Sequence, residues 1–579
     1  VKNREIARCF ETIADVMEIR GENAFRVNTY RNVAHIIADL GEDIETALES
    51  GRLAEIRGIG KSTLEKVEEY LQTGSMSACE KALEIVPPSA LELLRIPGVG
   101  PRTVAQLMNE KGIDSIDKLE KALDKGALAG LKGFGEKTAE NMRRGIQLVR
   151  AAAGRQLLSV AREAVDEILA ALADDERIRR IEPAGSVRRW RETVHDIDIL
   201  AAVDEPEADA AGLIRRFTRL PAVDEVLAAG KTKGSVRLEG GISADLRVVA
   251  PDAFGAALQY FTGSKEHNVR LRAIAHERGL KINEYGLFKG EKRLAGETEQ
   301  GIYEALGLPW VPPELREDRG EIEAALEGKL PELVEPEQIR GELHAHTDWS
   351  DGDLPVLEMA RKAREFGHRF VVISDHSKST TVANGLDEDR LRRQLDEIDA
   401  AREKLSRFTI LKGIEVDILP DGALDLADDV LEQLDWVIAS VHSRFKMGED
   451  EMTERVCRAA RHPLVNVIGH PTGRLIGERE PYALDVTRLV ETCAESGACL
   501  ELNAHPVRLD LSDLHCRLAR EAGVPVAIGA DAHDPAHYAY VRYGVATARR
   551  GWLRPADVVN TWTLKKIRKL VASKRKGAT

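Results

Sequence analysis

Along the chain the spacing of apolar positions changes character three times. Over residues 1–150 apolar side chains recur at helical intervals, with few runs that alternate like a strand. Glycine interrupts this stretch at residues 56–60 (IRGIG), 96–100 (IPGVG) and 131–135 (LKGFG), and a helical segment follows each time. From about residue 181 short β-rich runs appear among helices, such as 196–203 (DIDILAAV) and 244–249 (ADLRVV), which predicts an α+β unit. Residues 311–336 turn rich in proline and glutamate (VPPELRED, then LPELVEPEQ) and read as an interdomain linker. Beyond them short apolar runs alternate with helix-length segments seven times, beginning near Gly341, Phe370, Thr409, Trp436, Val465, Cys499 and Val526. That is the rhythm of a β/α barrel. The boundaries expected are 1–80 and 81–150 for two helical domains, 151–258 and 259–317 for the two parts of the α+β region, 318–338 for the linker and 339–579 for the barrel.

Composition narrows the class. A chain of 579 residues is too long for one hydrophobic core. With 43% hydrophobic and 31% charged residues it has the make-up of an ordinary soluble protein. No apolar run approaches the ~20 residues that a membrane span needs. The first ten residues are polar and charged, so no signal peptide is expected. Six cysteines (Cys9, Cys79, Cys457, Cys493, Cys499, Cys516) lie scattered without CxxC pairs, which disfavours a disulfide framework or a thiolate zinc site. A cytoplasmic protein is expected. The formal charge of −14 runs against a broad phosphate-binding surface, so any grip on nucleic acid must rest on local features. The basic stretch at residues 565–576 reads more readily as a solvated helix end than as a binding arm.

The glycine turns offer such features. A turn of the form hydrophobic-Gly-hydrophobic-Gly before a helix leaves backbone N–H groups unpaired where the helix dipole favours an anion. One copy is common for structural reasons alone. Three copies, at Gly58 and Gly60, Gly98 and Gly100, and Gly133 and Gly135, two of them followed by Lys61 or Arg102, point to a shared phosphate-binding role. They resemble helix-hairpin-helix motifs, which hold the DNA backbone without reading sequence.

A second chemistry lies in the α+β region. In Asp196-Ile197-Asp198 the two carboxylates project from one face of a strand while Ile197 points to the core. Their repulsion is relieved if they share divalent cations, and Asp245 lies on another strand-like run where it completes an oxygen cage suited to Mg²⁺. Alone, the pair reads equally well as an exposed acidic strand end. Upstream, residues 185–189 (GSVRR) supply a tight turn, a hydroxyl and guanidinium donors for a triphosphate, chiefly Gly185, Ser186 and Arg189. A GS turn followed by DxD is the pattern of the nucleotidyltransferase superfamily. Residues 260–264 (YFTGS) then resemble the signature of family X DNA polymerases.

That resemblance runs from about Ile6 to Leu315. It implies that Tyr260, Phe261 and Gly263 pack against the incoming deoxyribose, and that Asn268 and Arg272 face the nascent pair and template. It also implies that residues 23–37 (NAFRVNTYRNVAHII) bind a DNA end, with Arg26 and Tyr30 near a 5′ phosphate. Lys66 falls where lyase-competent members carry a Schiff-base lysine, although a surface helix lysine is the plainer reading. Lys265, where several relatives have an acid, and His195, where glycine is common, depart from the pattern.

The third chemistry is in the barrel. Eleven of the 15 histidines fall between His344 and His537 and mark the ends of the apolar runs. His344 and His346 share a strand face, Asp351 follows, then His376, Glu415, His442, His470, Asp531 and His533 end successive runs. Active sites of β/α barrels sit at the C-terminal strand ends, and such a ligand set needs metals to neutralise and orient it. The strings ELHAHTDWSDG, VISDHS, GIEVDI, SVHS, IGHP and GADAH resemble the PHP (polymerase and histidinol phosphatase) family. By resemblance the fold is a distorted seven-stranded barrel with up to three metals. One is held by His344, His346, Glu415 and Asp531, a second by Glu415, His442 and His470, and a third by Asp351, His376 and His533. Mixed N and O ligands suit Zn²⁺ or Mn²⁺ alike. Arg474 and Arg508 are candidates to grip substrate phosphate.

The chain is thus expected to be multidomain: all-α helix-hairpin-helix domains, an α+β nucleotidyltransferase palm and thumb, and a distorted (β/α)7 PHP barrel. The fused arrangement resembles bacterial family X DNA polymerases, implying gap-filling DNA repair and 3′-5′ exonuclease action, with abasic-site cleavage as a further activity. Expected partners are gapped or nicked DNA and dNTPs, with Mg²⁺ or Mn²⁺ at the polymerase site, no membrane, and a monomeric chain. The alternative is a barrel that serves only as a metal-stabilised scaffold.

Overall fold

A computed structural model describes residues 2–576 apart from positions 39, 41, 42, 55, 57, 97, 129, 130, 132, 133 and 153. Gly133 therefore lies outside the described residues. The chain divides into two compact units, residues 1–153 with 477–480, and residues 154–476 with 481–579.

The first unit is helical throughout residues 2–152 as described. One apolar core, running from Phe10 and Ile37 through Val67 and Leu93 to Leu119 and Ile146, serves both of the expected helical domains. Gly60 and Gly100 are the N-caps of helices Lys61–Thr73 and Pro101–Lys111, and Gly135 directly precedes helix Glu136–Ala152. Gly58 and Gly98 hold φ of 103° and 84°, the left-handed region that only glycine enters freely. A Cβ at Gly60, Gly100 or Gly135 would meet nothing within 4 Å, so these helix starts are open on the glycine side.

In the second unit a five-stranded sheet comes first. Its order is Ile178–Pro183, Asp196–Val203, Ser243–Val249, Lys233–Leu238 and Val223–Ala229, with only the second and third strands parallel to each other. The period of two along Asp196–Val203 separates its neighbours. Ile197, Ile199, Ala201 and Val203 pack into a core with helices Leu158–Leu172 and Pro206–Phe217. Leu200 and Ala202 face helix Phe254–Thr262 on the other side. A small antiparallel sheet (Lys281–Asn283, Gly286–Lys289, Lys292–Ala295) and helices Lys265–Glu277 and Glu299–Ala305 follow.

The segment expected as a linker is instead a packed connection. Arg316 and Glu321 are fully buried, helix Glu321–Leu326 forms within it, Leu333 joins the core beside the small sheet and Val334 joins the barrel core. Its buried Glu321 is committed to partners. Glu321 accepts bonds from the N–H groups of Asp318 and Arg319 and faces His267 Nδ1 at 2.7 Å.

Seven parallel strands form the barrel in sequential order: Gly341–Ala345, Phe370–Ile373, Thr409–Asp417, Trp436–Ser440, Val467–Ile468, Cys499–Asn503 and Val526–Gly529. An Ala345–Ala532 bridge brings the last strand's continuation to the first. The starts agree with the seven expected apolar runs. The basic stretch near the C-terminus is a helix end with most of its basic side chains exposed, but it is also anchored. It forms helix Leu564–Lys576, whose Ile567 and Val571 pack with Trp562, Trp436 and Val467 inside the barrel, while Lys574 donates to the carbonyls of Ala460 and Ser496. Palm, thumb and barrel share packing: Leu509 and Tyr543 belong to the palm core and Trp552 to the thumb core.

Candidate active sites

The first site is built at the start of strand Asp196–Val203, where the even-numbered face runs past helix Phe254–Thr262. Asp198 is the register partner of Asp245 on the neighbouring parallel strand, and Asp196 lies two residues earlier on the same face. The three carboxylates thus share one surface. Burial, then the charges of Asp196 and Asp245, push the Asp198 carboxyl up to about 6. A cluster of this kind fits oxygen-seeking divalent cations, which neutralise the repulsion. Lys233 Nζ lies 2.6 Å from Asp245 Oδ2.

Asp196 and Asp198 line a cleft of about 680 Å³ together with Gly185, Ser186, Arg189, Tyr260, Phe261, Gly263, Asn268 and Arg272, all the residues expected to bind nucleotide. His195 and Lys265, the two departures from the family pattern, line it as well. Tyr260 and Phe261 meet edge to face, 5.2 Å between centroids, and Arg247 lies over the Phe261 ring. The Asn268 amide accepts from Gln259 Nε2 at 2.6 Å and donates to the Tyr260 carbonyl at 2.7 Å, so it ties the YFTGS turn to helix Lys265–Glu277. Arg189 is paired with Glu317 at 3.1 Å and donates to the Thr262 carbonyl. Arg188 takes a structural part: its fork engages both oxygens of buried Glu299 at 2.8 and 2.7 Å.

In the helical unit Lys66 donates to the Ser62 carbonyl at 3.0 Å and to its hydroxyl at 2.6 Å, with its ammonium 5.9 Å from the Tyr30 ring centroid. Arg26 is exposed and pairs with Glu22.

The second site occupies the C-terminal ends of the barrel strands. Glu415 sits at its centre: Oε1 is 2.9 Å from His470 Nε2 and 3.4 Å from His442 Nε2, and Oε2 is 2.9 Å from His376 Nδ1, 3.5 Å from His344 Nε2 and 3.8 Å from His346 Nε2. Asp531 Oδ1 lies 3.1 Å from His346 Nε2, and Asp351 reaches His533, His376 and His346 at 3.4 to 3.7 Å. Three sets have ligand atoms close enough to hold an ion: His344, His346 and Asp531; His376, Glu415 and His442; and His346, Asp351, His376 and His533. The nine expected residues are therefore brought together. The grouping differs from the expected one: Glu415 is not in the set of His344, His346 and Asp531, His376 takes the place of His470 beside Glu415 and His442, and His346 joins Asp351, His376 and His533.

The donor set fits metals on three further counts. His344 Nε2, His346 Nε2, His376 Nδ1 and Glu415 Oε2 are buried without a well-aligned hydrogen-bond partner, a costly arrangement that coordination removes. His470 and Asp531 hold positive φ of 25° and 52°, strain that concentrates at functional positions. Burial, with His533 and His376 nearby, pulls the His346 imidazole down to about 3 and keeps it neutral, as a ligand must be.

Residues that sequence reasoning missed stand behind these ligands. Glu501 accepts from the His344 ring at 2.6 Å and from the His470 N–H at 2.6 Å, Asn503 donates to Asp531 at 3.0 Å, and Asp417 lies 3.2 Å from His442 Nδ1. The signal for Glu501 was present: a carboxylate in an otherwise buried strand must have a strong partner. Arg474 is corrected. It donates to the Arg508 and Leu509 carbonyls and to Glu192 of the palm at 2.8 Å, so it braces the barrel against the palm. Arg508 remains near the metal ligands, 3.8 Å from Asp531.

Together the sites define a nucleotidyltransferase palm and thumb joined to a barrel that carries candidate metal-binding clusters of a phosphoesterase kind. Residues 257–317 match the DNA polymerase beta thumb family, residues 1–76 a helix-hairpin-helix domain, 90–148 a SAM-like helix-hairpin-helix tandem and 342–505 the PHP domain. The chain is 39% identical over 571 residues to the DNA polymerase/3′-5′ exonuclease PolX of Bacillus subtilis, covering 97% of this chain and 98% of the relative. A probable phosphatase of Caldanaerobacter subterraneus is 31% identical over 201 residues, 33% of this chain and 74% of that protein. DNA polymerase lambda of Arabidopsis thaliana is 24% identical over 352 residues, 54% of this chain and 62% of that protein. The chain belongs to the bacterial family X DNA polymerases that carry a PHP domain. Among the described residues no helix is long and apolar enough to cross a membrane.

Proposed function

We propose that this chain is a DNA-directed DNA polymerase that fills gaps during repair and removes 3′ nucleotides with its PHP barrel. The observation that carries the polymerase reading is one cleft lined by Asp196, Asp198 and the Tyr260–Ser264 turn, with Asp245 the register partner of Asp198 on the neighbouring strand. Asp196, Asp198 and Asp245 would hold Mg²⁺ or Mn²⁺, which supply charge stabilisation at the reacting phosphate. Ser186, Arg189 and the N–H groups after Gly185 bind the triphosphate. Tyr260 and Phe261 pack on the sugar, and the Asn268 bonds to Gln259 and Tyr260 fix that wall in place. The open helix starts at Gly60, Gly100 and Gly135 take DNA phosphates through backbone N–H groups, which lets an acidic chain hold gapped or nicked DNA.

In the barrel His344, His346, Asp351, His376, Glu415, His442, His470, Asp531 and His533 would hold up to three Zn²⁺ or Mn²⁺ ions, whose chemistry is hydrolysis of a phosphodiester. All nine positions carry competent ligands, and the similarity over nearly the whole chain to a relative named as a polymerase and 3′-5′ exonuclease supports catalysis over a purely structural barrel. Lys66, beside Tyr30, is the residue to test for a lyase step, by borohydride trapping on a 5′-deoxyribose phosphate end with Lys66→Ala as control.

The deciding experiment uses a labelled primer on a one-nucleotide gap with Mn²⁺, with and without dNTPs. Asp198→Ala is expected to lose extension and keep shortening the primer, and His344→Ala to do the reverse. Primer degradation by His344→Ala at the wild-type rate would remove the nuclease assignment and leave the barrel a scaffold.

A further inference from the structure

The nucleotide cleft is braced from the barrel. Arg550 ends helix Val541–Arg550 of the barrel and is only 4% exposed, yet its fork reaches across to the palm and thumb. Nη1 donates to the Arg189 carbonyl at 2.7 Å, where the Gly185 turn ends, and to Glu317 Oε1 at 3.0 Å. Nη2 donates to Asp513 Oδ2 at 2.7 Å, an oxygen that also takes Arg319 at 2.9 Å. Glu317 is itself part of the cleft wall. Its Oε1 is shared with Arg189 at 3.1 Å and its Oε2 faces Arg191 at 3.5 Å, and both arginines line the cleft.

We propose that Arg550 is a positioning residue for nucleotide binding: it occupies Glu317 and anchors the Arg189 main chain, so that Arg189 and Arg191 keep positive charge facing the triphosphate. The inference rests on the polymerase reading above. Four guanidiniums (Arg189, Arg191, Arg319, Arg550) meet two carboxylates (Glu317, Asp513) in this network, and the cationic excess is at the cleft. Without Arg550 the Glu317 carboxylate has only the two cleft arginines to satisfy it. A half-buried charge that loses a partner draws on those that remain, and it does so at the expense of an incoming anion. Arg550 touches neither substrate nor the carboxylate triad, so its effect belongs in nucleotide affinity more than in turnover.

The test is single-nucleotide insertion by the full-length chain at varied dNTP concentration, with primer degradation in the absence of dNTP measured in parallel. Arg550→Met is expected to raise KM for dNTP about tenfold while kcat stays within about threefold, the pattern of lost uniform binding. Primer degradation is expected at the wild-type rate. In the double variant Arg550→Met with Glu317→Gln the orphaned carboxylate is gone, and KM is expected to return near the value of Glu317→Gln alone. An unchanged KM in Arg550→Met, or a rise that Glu317→Gln does not relieve, overturns the proposal. Should Arg550→Met fail to fold by circular dichroism, Arg550→Lys reads the same quantity. It keeps the charge but cannot span Glu317 and Asp513 together, so a KM rise of about threefold is expected and no rise overturns the proposal. Wild type and Asp198→Ala run alongside separate the two claims: a wild-type chain that never extends a primer defeats the polymerase reading itself.

Discussion

Gly185 holds φ of 62°, and a Cβ added there would lie 2.6 Å from Asp198 Oδ2. Gly185→Ala therefore strains the turn and pushes a triad carboxylate aside. Extension is expected to fall by about a hundredfold, as for other misplacements at a reacting centre, while primer degradation is unchanged; wild-type extension by this variant would mean that Asp198 tolerates displacement. A similar argument applies behind the barrel ligands. Glu501→Gln removes the charge that orients His344 and is expected to weaken metal binding about 10- to 100-fold, read by metal titration and by primer degradation. At this scale the sequence was informative where chemistry needs a spacing, as in the DxD, the YFTGS turn and the histidine-ended strands. It said less where a residue acts through another: Glu501 showed only as a carboxylate in a buried strand and Asp417 only as a neighbour of Glu415, and neither names its partner, because the partners are set by strands far apart in the chain.

Among the elements, helix Glu299–Ala305 shows how the thumb is fastened to the palm. Glu299 receives the Arg188 fork and Arg316 Nη1 at 2.6 Å, and its carboxyl falls to about 2: burial opposes this, and Arg316 and Arg188 outweigh it. Glu299→Gln leaves two buried guanidiniums short of a partner and is expected to destabilise the fold by about 3 kcal/mol at pH 7. Since the folded chain binds this proton more weakly than the unfolded chain, whose value is 4.5, the contribution is present above pH 4.5 and fades as pH falls toward 2. Thermal midpoints of wild type and Glu299→Gln should converge over that window; a gap that stays constant with pH would assign the effect to packing. The same element-level view accounts for the packing of residues 311–336. Proline and glutamate are common in solvated linkers, and composition carries no trace of the arginines that neutralise Glu314 and Glu317, which come from residues 549, 550 and 189. The seven barrel strands were legible for the opposite reason: strands buried on both faces are short apolar runs in any context.

For the whole molecule, the metal cluster and the shared core bear on stability together. The buried His344, His346, His376 and Glu415 atoms without well-aligned hydrogen-bond partners should make the barrel depend on its ions. Chelation is expected to lower the thermal midpoint by several degrees and Mn²⁺ to restore it, since a ligand at a thousand times its Kd stabilises by about 4 kcal/mol. A midpoint indifferent to chelation would show that the cluster is satisfied by protons instead. Polymerase and nuclease residues were each readable along the chain, but their joint packing was not: Tyr543 and Leu509 in the palm core and Trp552 in the thumb core look like ordinary barrel apolar residues. That sharing has an evolutionary corollary. If this chain lost its histidines one by one, its palm and thumb would still need the barrel, because deletion would strip them of part of their interior. Relatives with decayed ligands should therefore still carry the full barrel, and a polymerase half isolated by cutting after the thumb would need new polar surface where Trp190 now meets Tyr543.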